Sequence, residues 1–561
     1  MGDSRVARFV RADGGPFALA VFRIALFAVV LRMTLALWGR VVTFAGLPRS
    51  SIVPPWRLRR VLAVTPISPG LARAAGALLV VACVCGIAGL YARTAAAVTT
   101  VTGVYFLGIP AFFGKVDHGM HVLWFAALLA VSPCADVLSV DGARRAWRRA
   151  DTGDVAPPAP GRAYGLPLRL VWLLVGAVYL FPGLAKVRSD GLHWAWSDNL
   201  RNIAFAKWLE NDRLPGFARA VESHGTPLRL VALGALVFEI GFTVALFWRT
   251  SRIVAVSAGL TFHVLARYVL LIDFWPLYWL YVVFVPWDDV FAAVGRRLFR
   301  TASTAVYDDG CGICRRTVAT LRTVDLLRRV EWVPASTADV GIARDALLAD
   351  LHHVEDGRVT TGFEAYRRIV RRYPLLWPAL PLLHLPPVAA LGRRVYRHVA
   401  DTRACAVAPL PAPTGPTVTP PRPRAVAAVF ATIAVPAFAL GLLRIDQAWP
   451  VAMYPGFEGY HPATLARVDA TADGVPYDLR AALGQSPPGW TAISRRLAGA
   501  DEAHRGSTAL ALYRAACAAD PSLRGARVAL RLSTVSTVPS QRAAPPLESV
   551  LVAEYGPGCD A

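Results

Sequence analysis

The chain has 561 residues, a length that predicts about three domains rather than one. Hydrophobic residues make up 55% and charged residues only 17%, which excludes an ordinary soluble globular protein and is typical of a membrane protein. The formal net charge is +22, yet no aromatic-basic RNA motif or helix-turn-helix accompanies the arginines. We therefore expect the arginines to flank membrane spans, with the lipid bilayer as a partner and no nucleic acid.

Apolar runs long enough to cross a bilayer recur along the first half of the chain, since each crossing needs about 17–25 residues. Residues 1–300 therefore predict a helical membrane domain with about eight spans. The first run is long enough to span and lacks a small-residue cleavage site, so we expect no cleavable signal peptide. The predicted spans lie near residues 17–37, 74–91, 95–113, 119–137, 167–186, 228–248, 252–272 and 274–292.

Several ionisable side chains fall where hydrocarbon is expected, and such positions are costly enough to indicate function. A lysine or histidine at a helix end can instead extend to the head groups, so a structural role stays open. The lysine at FPGLAKV is notable because the chain has only three lysines, and a desolvated lysine can act as a base where arginine cannot. The candidate membrane-site residues are Arg23, His118, Lys186, Glu239 and His263.

The blocks that carry these residues resemble the HTTM membrane domain shared with vitamin K-dependent gamma-carboxylase. They are KVDHGMHVLWFAALLAVSP, YLFPGLAKVRSDGLHWAW, and FEIGFTVALFW with FHVLARYVLLIDFWPLYWLYVVF, within about residues 15–292. The resemblance leaves a vitamin K-type quinone open as a cofactor. It implies that Lys186 matches the family's catalytic base, His118 the histidine of its Asn-His motif and His263 a later membrane histidine. Shared chemistry would bring these three residues to one cavity sized for a quinone ring.

A D-x-x-C-x-x-C motif follows the membrane domain, formed by Asp308, Cys311 and Cys314 in TAVYDDGCGICRRTVATL. Residues 304–308 read as a strand, 312–327 as a helix and 329–334 as a second strand, which is a thioredoxin-like order. We expect Cys311 to be the more exposed and more reactive thiol, because a helix N-terminus stabilises the thiolate.

Two alternatives to redox chemistry are half of a zinc site and a pair of inert cysteines. A zinc site needs four ligands, and the nearby candidates are His352, His353 and Cys405. Because no second C-x-x-C or H-x-H pair accompanies the motif, we expect no metal.

The segment 307–403 resembles the DCC family of thiol-disulfide oxidoreductases, which is named for this Asp-Cys-Cys motif. EDGRVTTGFEAYRRIVRRYP and RRVYRHVADTR resemble the later blocks of that family. The resemblance implies a thioredoxin-like domain at 301–406 in which Cys311 attacks a disulfide and Cys314 resolves it, with Asp308 as the third catalytic residue. The expected partner is a protein thiol or disulfide, and the chemistry requires no cofactor.

The remainder of the chain predicts a proline-rich linker at 407–424, a further span at 425–446 and a terminal domain at 447–561. The terminal domain mixes alternating segments with a helical stretch, which predicts a small α+β fold. Its two cysteines, Cys517 and Cys559, either form a disulfide outside the cytosol or remain free thiols.

The predicted fold is mainly α, with a polytopic helical membrane domain, a thioredoxin-like α/β domain and a small α+β C-terminal domain. Arginine-rich loops such as GARRAWRRA, together with an even number of spans, predict a cytoplasmic redox domain and an extracytoplasmic C-terminal domain in a bacterial plasma membrane. The leading hypothesis is a membrane-bound protein-disulfide reductase. The alternatives are a carboxylase-like or quinone-coupled membrane oxidoreductase, and a non-enzymatic scaffold with a degenerate redox domain.

Overall fold

The protein is described by a computed structural model over residues 4–47, 65–112, 118–402, 423–445, 448–453, 456–483 and 487–559. The chain divides into two compact units. The first comprises residues 1–178, 246–252 and 275–454, and the second comprises 179–245, 253–274 and 455–561. Within the described ranges, seven helices are long and apolar enough to cross a membrane.

Helices make up most of the described structure before residue 300. Three-10 turns lie among them at Ile109–Phe112, His118–Met120, Ala150–Thr152 and Trp279–Phe284. The α-helices are α1 (Arg5–Arg11), α2 (Pro16–Ala45), α3 (Pro69–Ala88), α4 (Ala92–Phe106), α5 (His121–Ala130), α6 (Val140–Arg149), α7 (Arg162–Asp190), α8 (His193–Trp196), α9 (Asn199–Glu210), α10 (Ala218–Ser223), α11 (Thr226–Ala245), α12 (Arg249–Val269), α13 (Trp275–Tyr278) and α14 (Trp287–Leu298).

Small residues let neighbouring helices of the first unit approach closely. A Cβ atom on Gly86 of α3 would lie 2.4 Å from the ring of Phe27 on α2, and one on Gly76 would lie 2.6 Å from Trp38. Because lipid tails are as apolar as the side chains, helix association in a membrane depends on such close packing rather than on hydrophobic burial.

Two of the predicted spans differ from a single straight helix. The span predicted at 119–137 contains only the ten-residue helix α5, which ends just before Ser132-Pro133 because a residue preceding proline disfavours helical geometry. The span predicted at 274–292 is a pair of helical segments bent by 68°, and the break falls at Pro286. The six other spans predicted before residue 300 each correspond to a long apolar helix.

The redox domain has a four-stranded sheet in the order β2-β1-β3-β4. The first two strands are parallel and the other pairs are antiparallel, so a strand-helix-strand unit is followed by a hairpin and a helix, as in thioredoxin-like folds. A 3-10 turn, Pro374–Ala379, precedes the last two helices. The elements are β1 (Ser303–Tyr307), α15 (Gly312–Arg322), β2 (Val330–Pro334), α16 (Arg344–Ala349), β3 (His352–Glu355), β4 (Arg358–Thr361), α17 (Gly362–Val370), α18 (Leu380–His384) and α19 (Pro386–Thr402).

Helix α15 ends at Arg322, five residues before the predicted end at 327. The chain turns there because the Asp325 carboxylate accepts the backbone N–H of Arg328 at 2.9 Å, which competes with helical hydrogen bonding. Leu326 then packs against Phe17 and Val137 of the membrane domain rather than within its own domain. Tertiary packing therefore overrides the local apolar periodicity.

The predicted proline-rich linker lies almost wholly outside the described residues, and helix α20 (Pro423–Leu442) follows it as the predicted additional span. The C-terminal domain is an antiparallel sheet in the order β6-β5-β7-β8 with helices packed against it. A disulfide joins Cys517 to Cys559. The elements are β5 (Thr464–Ala472), β6 (Val475–Tyr477), α21 (Leu479–Ala482), α22 (Pro487–Gly499), α23 (Glu502–Ala519), β7 (Val528–Ser536) and β8 (Glu548–Tyr555), with 3-10 turns at Pro521–Gly525 and Pro539–Gln541.

Candidate functional site

The cysteine motif occupies the turn between β1 and α15. Cys311 is the N-cap residue of α15, and Cys314 lies in the first turn of that helix. Two aspartates fix the turn. Asp308 is buried and accepts the N–H of Gly310 at 2.9 Å, and Asp309 accepts both the N–H and the hydroxyl of Ser336 at 3.0 and 2.7 Å. The motif is thus tied to the residues that follow β2.

The expectation that Cys311 is the more exposed thiol is wrong. Cys311 is 1% exposed, whereas Cys314 is half-buried, because the chain that packs around the turn covers the first cysteine more completely than the second. The low pKa of Cys311 agrees with the prediction that this cysteine is a thiolate. The Cys314 thiol, with the backbone N–H groups of Cys314 and Ile313, lowers the pKa of Cys311 to about 6 and outweighs the opposing effect of burial. At neutral pH Cys311 is therefore mainly a thiolate.

A cleft opens beside Cys314. The Tyr396 hydroxyl shapes one wall, since it accepts the N–H of Leu351 at 3.0 Å and donates to the Asp350 carboxylate at 3.1 Å. Asp308 faces the same cleft. An apolar group can contact Cys314 here, because the other lining side chains are mostly aromatic or aliphatic: Tyr307, Ile313, Val318, Trp332, Tyr366 and Val399.

Helix α15 is bound directly to a loop of the membrane domain within the first unit. Arg315, the residue after Cys314, donates to the carbonyl of Ala150 at 2.9 Å and to that of Asp309 at 2.7 Å. Arg316 pairs with Asp151 at 2.7 Å, and the N–H of Leu138 donates to the Thr323 carbonyl at 3.1 Å. The helix that carries the dithiol is therefore held at both of its ends by the segment 138–155, which contains α6 and the 3-10 turn that follows it.

The residues proposed for a zinc half-site do not surround the motif in the described structure. His352 and His353 are buried in β3, and the Nδ1 of His352 donates to the Asp350 carbonyl at 2.9 Å. Cys405 lies outside the described residues. Across the ranges that the structure covers, no group of three or more His, Cys, Asp or Glu side chains is arranged to hold a metal ion.

Three of the candidate membrane residues lie in the second unit, and each has a specific partner. The Lys186 ammonium contacts both carboxylate oxygens of Glu239, at 2.5 and 2.7 Å, and lies 5.0 Å from the centre of the Trp194 ring. Both charged side chains are buried. His263 contacts the Tyr179 hydroxyl through Nε2 at 2.6 Å. The lysine and the histidine therefore belong to two separate polar pairs.

The other two membrane residues lie in the first unit. Arg23 is fully buried in α2, where it donates to the carbonyl groups of Cys134 at 2.8 Å and Leu138 at 2.5 Å. It therefore fixes the segment that follows α5. His118 begins a short 3-10 turn, but its side chain lies outside what the structure describes. The convergence of Lys186, His118 and His263 on one quinone-sized cavity stays a prediction.

Comparison with protein families finds two matches. Residues 305–406 match the DCC1-like thiol-disulfide oxidoreductase family, and residues 63–288 match the HTTM domain. The chain joins an HTTM domain to a DCC1-like thiol-disulfide oxidoreductase domain. No similar protein was found among curated proteins or among solved structures. The predicted fusion is confirmed, and the long apolar helices of the HTTM domain make the chain an integral membrane protein.

Sequence reasoning missed the residues that shape and support the DCC1-like site. Arg315 and Tyr396 are the clearest examples, since one joins the motif to the HTTM domain and the other forms the cleft wall. Tyr396 lies within RRVYRHVADTR, so the family-like block could have indicated it. Arg315 had no distinguishing signal in a chain that is rich in arginine.

The acidity of Cys311 can be tested in the DCC1-like domain of the intact protein. We expect its alkylation rate in Cys314→Ser to reach half of its plateau near pH 6, because the serine hydroxyl still donates to the thiolate. In Cys314→Ala that donor is absent, so the midpoint should rise toward about 8.5, the value of an ordinary thiol. Iodoacetamide labelling followed by mass spectrometry measures both. A midpoint near that of an ordinary thiol in both variants would contradict the assignment.

The Lys186–Glu239 pair of the HTTM domain can be tested as a structural unit. Lys186→Met or Glu239→Leu alone leaves one buried charge unpaired, and we expect each to cost about 3–5 kcal/mol of stability. The double variant removes both charges and should recover most of that loss. Thermal unfolding of the purified protein in detergent measures the three midpoints. A double variant as unstable as the worse single variant would show that the pair does not act as a unit.

Proposed function

We propose that the DCC1-like domain reduces disulfides in a protein partner, with Cys311 as the attacking thiolate and Cys314 as the resolving thiol. The lowered pKa of Cys311, about 6, is the observation that carries this proposal, since it supplies a nucleophile at neutral pH. The position of both cysteines at the start of α15 also supports it.

The reaction proceeds in two exchanges. The Cys311 thiolate attacks one sulfur of the partner disulfide, so a mixed disulfide forms and the other partner sulfur leaves as a thiolate, which takes up a proton. Cys314 then loses its proton and attacks the Sγ of Cys311, which closes the Cys311–Cys314 disulfide and releases the second partner thiol. The partner gains two electrons and the dithiol loses two, so a thiol donor must reduce the pair again.

The cleft supplies the approach to the dithiol. It reaches Cys314, and the buried Asp308 carboxylate on its wall can accept the Cys314 proton in the second exchange. Because Cys311 is buried, its attack requires the motif turn to expose the first sulfur as the partner binds. A partner disulfide on an extended loop fits this cleft best, since such a loop can reach past the aromatic walls.

The order of attack can be tested by trapping. With insulin as the disulfide probe, Cys311→Ser should abolish reduction, because no thiolate remains to attack. Cys314→Ser should accumulate a mixed disulfide on Cys311 that is stable to non-reducing electrophoresis. Cys85→Ser, which removes a free cysteine outside the motif, serves as the control and should retain wild-type activity. A mixed disulfide formed by Cys314 in the Cys311→Ser protein would reverse the two roles.

The proposed orientation places the DCC1-like domain in the cytoplasm and the C-terminal domain outside. Within the first unit, Gly14 pairs with Gly161 through two backbone hydrogen bonds of 2.9 and 3.1 Å. The loop that contains Ala150 contacts the DCC1-like domain. These contacts support a common side for the N-terminus, the arginine-rich loop and the redox domain, and arginine-rich loops favour the cytoplasm. The single span α20 then leads to the opposite side, where a disulfide persists.

This orientation predicts opposite signals from two reporter fusions. A reporter that works only in the cytoplasm should give a signal when it is fused after Arg300 and none after Ala561. A reporter that works only outside the cytoplasm should give the opposite result. Alkaline phosphatase and a fluorescent protein distinguish the two locations. Matching signals would mean that α20 does not cross the membrane or that the bent segment Pro374–Thr402 crosses it as well.

We do not propose a carboxylation reaction for the HTTM domain. Lys186 pairs with Glu239, and His263 pairs with Tyr179. Because these side chains bind one another, the pairs support a structural role. A quinone-coupled reaction in the HTTM domain stays a prediction. Lipid extraction from the purified protein, followed by a search for a bound quinone, tests it directly.

A further inference from the structure

The last segment of the DCC1-like domain, Pro374–Thr402, is apolar enough to resemble a membrane span but has the wrong shape for one. It consists of the 3-10 turn Pro374–Ala379 with α18, and then α19, and the two parts meet at an angle of 106°. Such a bend prevents a straight crossing. An apolar segment of this kind is suited instead to lie along the surface of a bilayer.

Large apolar side chains are exposed along the whole segment. On α19, Leu391, Val395 and Val399 follow one another at intervals of four residues, so they form a stripe along one side of the helix. Leu391 is 61% exposed, although the opposite side of α19 packs closely: Ala389 is buried in the core, and the backbone at Gly392 lies so near the Phe363 ring that a Cβ atom would clash with it. Large apolar side chains are also exposed in the turn (Leu375 and Trp377), in α18 (Leu382) and at Leu385, the residue between α18 and α19.

Positive charge accompanies this apolar surface. The segment Pro374–Thr402 contains three arginines and one acidic residue, Asp401 near its end. Arg393, Arg394 and Arg397 line a shallow groove between α19 and the start of α17. Glu364 is the one acidic side chain of that groove, and it pairs with Arg367 and Arg368. Arg397 pairs with Asp350 at 3.7 Å, whereas Arg393 and Arg394 form no ion pair within the described residues. Exposed leucines, a tryptophan and two arginines without an acidic partner are the combination that binds an anionic lipid surface.

The chain connections keep this segment near a membrane. Helix α14 ends at Leu298 and β1 begins at Ser303. Four residues lie between them, so the five Cα–Cα steps from Leu298 to Ser303 span about 18 Å at most. The next span, α20, begins at Pro423. The DCC1-like domain is therefore inserted between two membrane-associated helices, and a bilayer is the apolar surface that is always within its reach.

We infer that Pro374–Thr402 is a membrane-surface anchor that binds the head groups of anionic phospholipids through its arginines and the acyl boundary through its leucines. Tyr396 and Val399 of the same helix line the cleft beside Cys314. The anchor thus keeps that opening close to the bilayer surface, and this consequence holds whether or not the dithiol reduces protein disulfides.

The test uses photo-cross-linking of the full-length protein in nanodiscs of phosphatidylcholine and phosphatidylglycerol in equal amounts. Benzoyl-phenylalanine replaces Leu391 in one sample. In the matched control it replaces Val359, an exposed apolar residue of β4 in the same domain. Val237, an exposed residue of the span α11, is the positive control. Because all three side chains are exposed, their replacement leaves the core packing intact.

Irradiation should give lipid adducts at positions 391 and 237 and none at 359, as read by mass spectrometry of the peptides. Arg393→Glu with Arg394→Glu, or nanodiscs without phosphatidylglycerol, should lower the yield at position 391 by about five-fold or more. Lipid adducts at 237 alone would overturn the inference, and so would adducts at 391 to a second copy of the chain. An adduct yield at position 391 that changes neither with the arginine substitutions nor with the loss of phosphatidylglycerol would overturn the assignment to anionic lipid.

Discussion

A cation removed from water needs acceptors close to it, because an unpaired buried charge costs several kcal/mol. This constraint organises the described structure, since its buried arginines each join two segments of chain. Arg23 fixes the segment after α5 through two carbonyl groups. Arg372 is 2% exposed and joins the start of the redox domain to β2, because it donates to the carbonyls of Thr301 and Arg329, both at 2.9 Å. Its guanidinium also lies 4.7 Å from the Phe299 ring at the end of α14.

The redox site was largely predictable because its signals are local. The D-x-x-C-x-x-C spacing indicates both the chemistry and the strand-turn-helix that presents it, and each needs only neighbouring residues. The exposure of Cys311 was not predictable, since burial depends on what packs around the turn. The early end of α15 had a similar cause. Leu326 continues the apolar pattern of the helix, but its contacts with Phe17 and Val137 lie in another part of the chain.

The membrane residues show a different limit. Composition and hydropathy identified Lys186 and Glu239 as costly at their positions, but they are separated by 53 residues and nothing in either segment indicates the other. A single sequence therefore indicates that a buried charge is important. It does not distinguish a charge that serves catalysis from one that is neutralised by a structural ion pair. At the two irregular spans, the positions of prolines indicate the helix ends better than the apolar runs do. Regular helix ends near Pro133 in one span and at Pro286 in the other.

The two hydrogen bonds of Arg315 have a thermodynamic consequence. One reaches Asp309 in the turn that precedes the dithiol, and the other reaches Ala150 in the membrane-domain loop. Closing the Cys311–Cys314 disulfide joins the two sulfurs covalently, and any change of the turn on oxidation would reach the loop through Arg315. Linkage makes such an effect reciprocal. A ligand that binds the loop more tightly in one form by about 1.4 kcal/mol shifts the reduction potential of the dithiol by about 30 mV, without touching either sulfur.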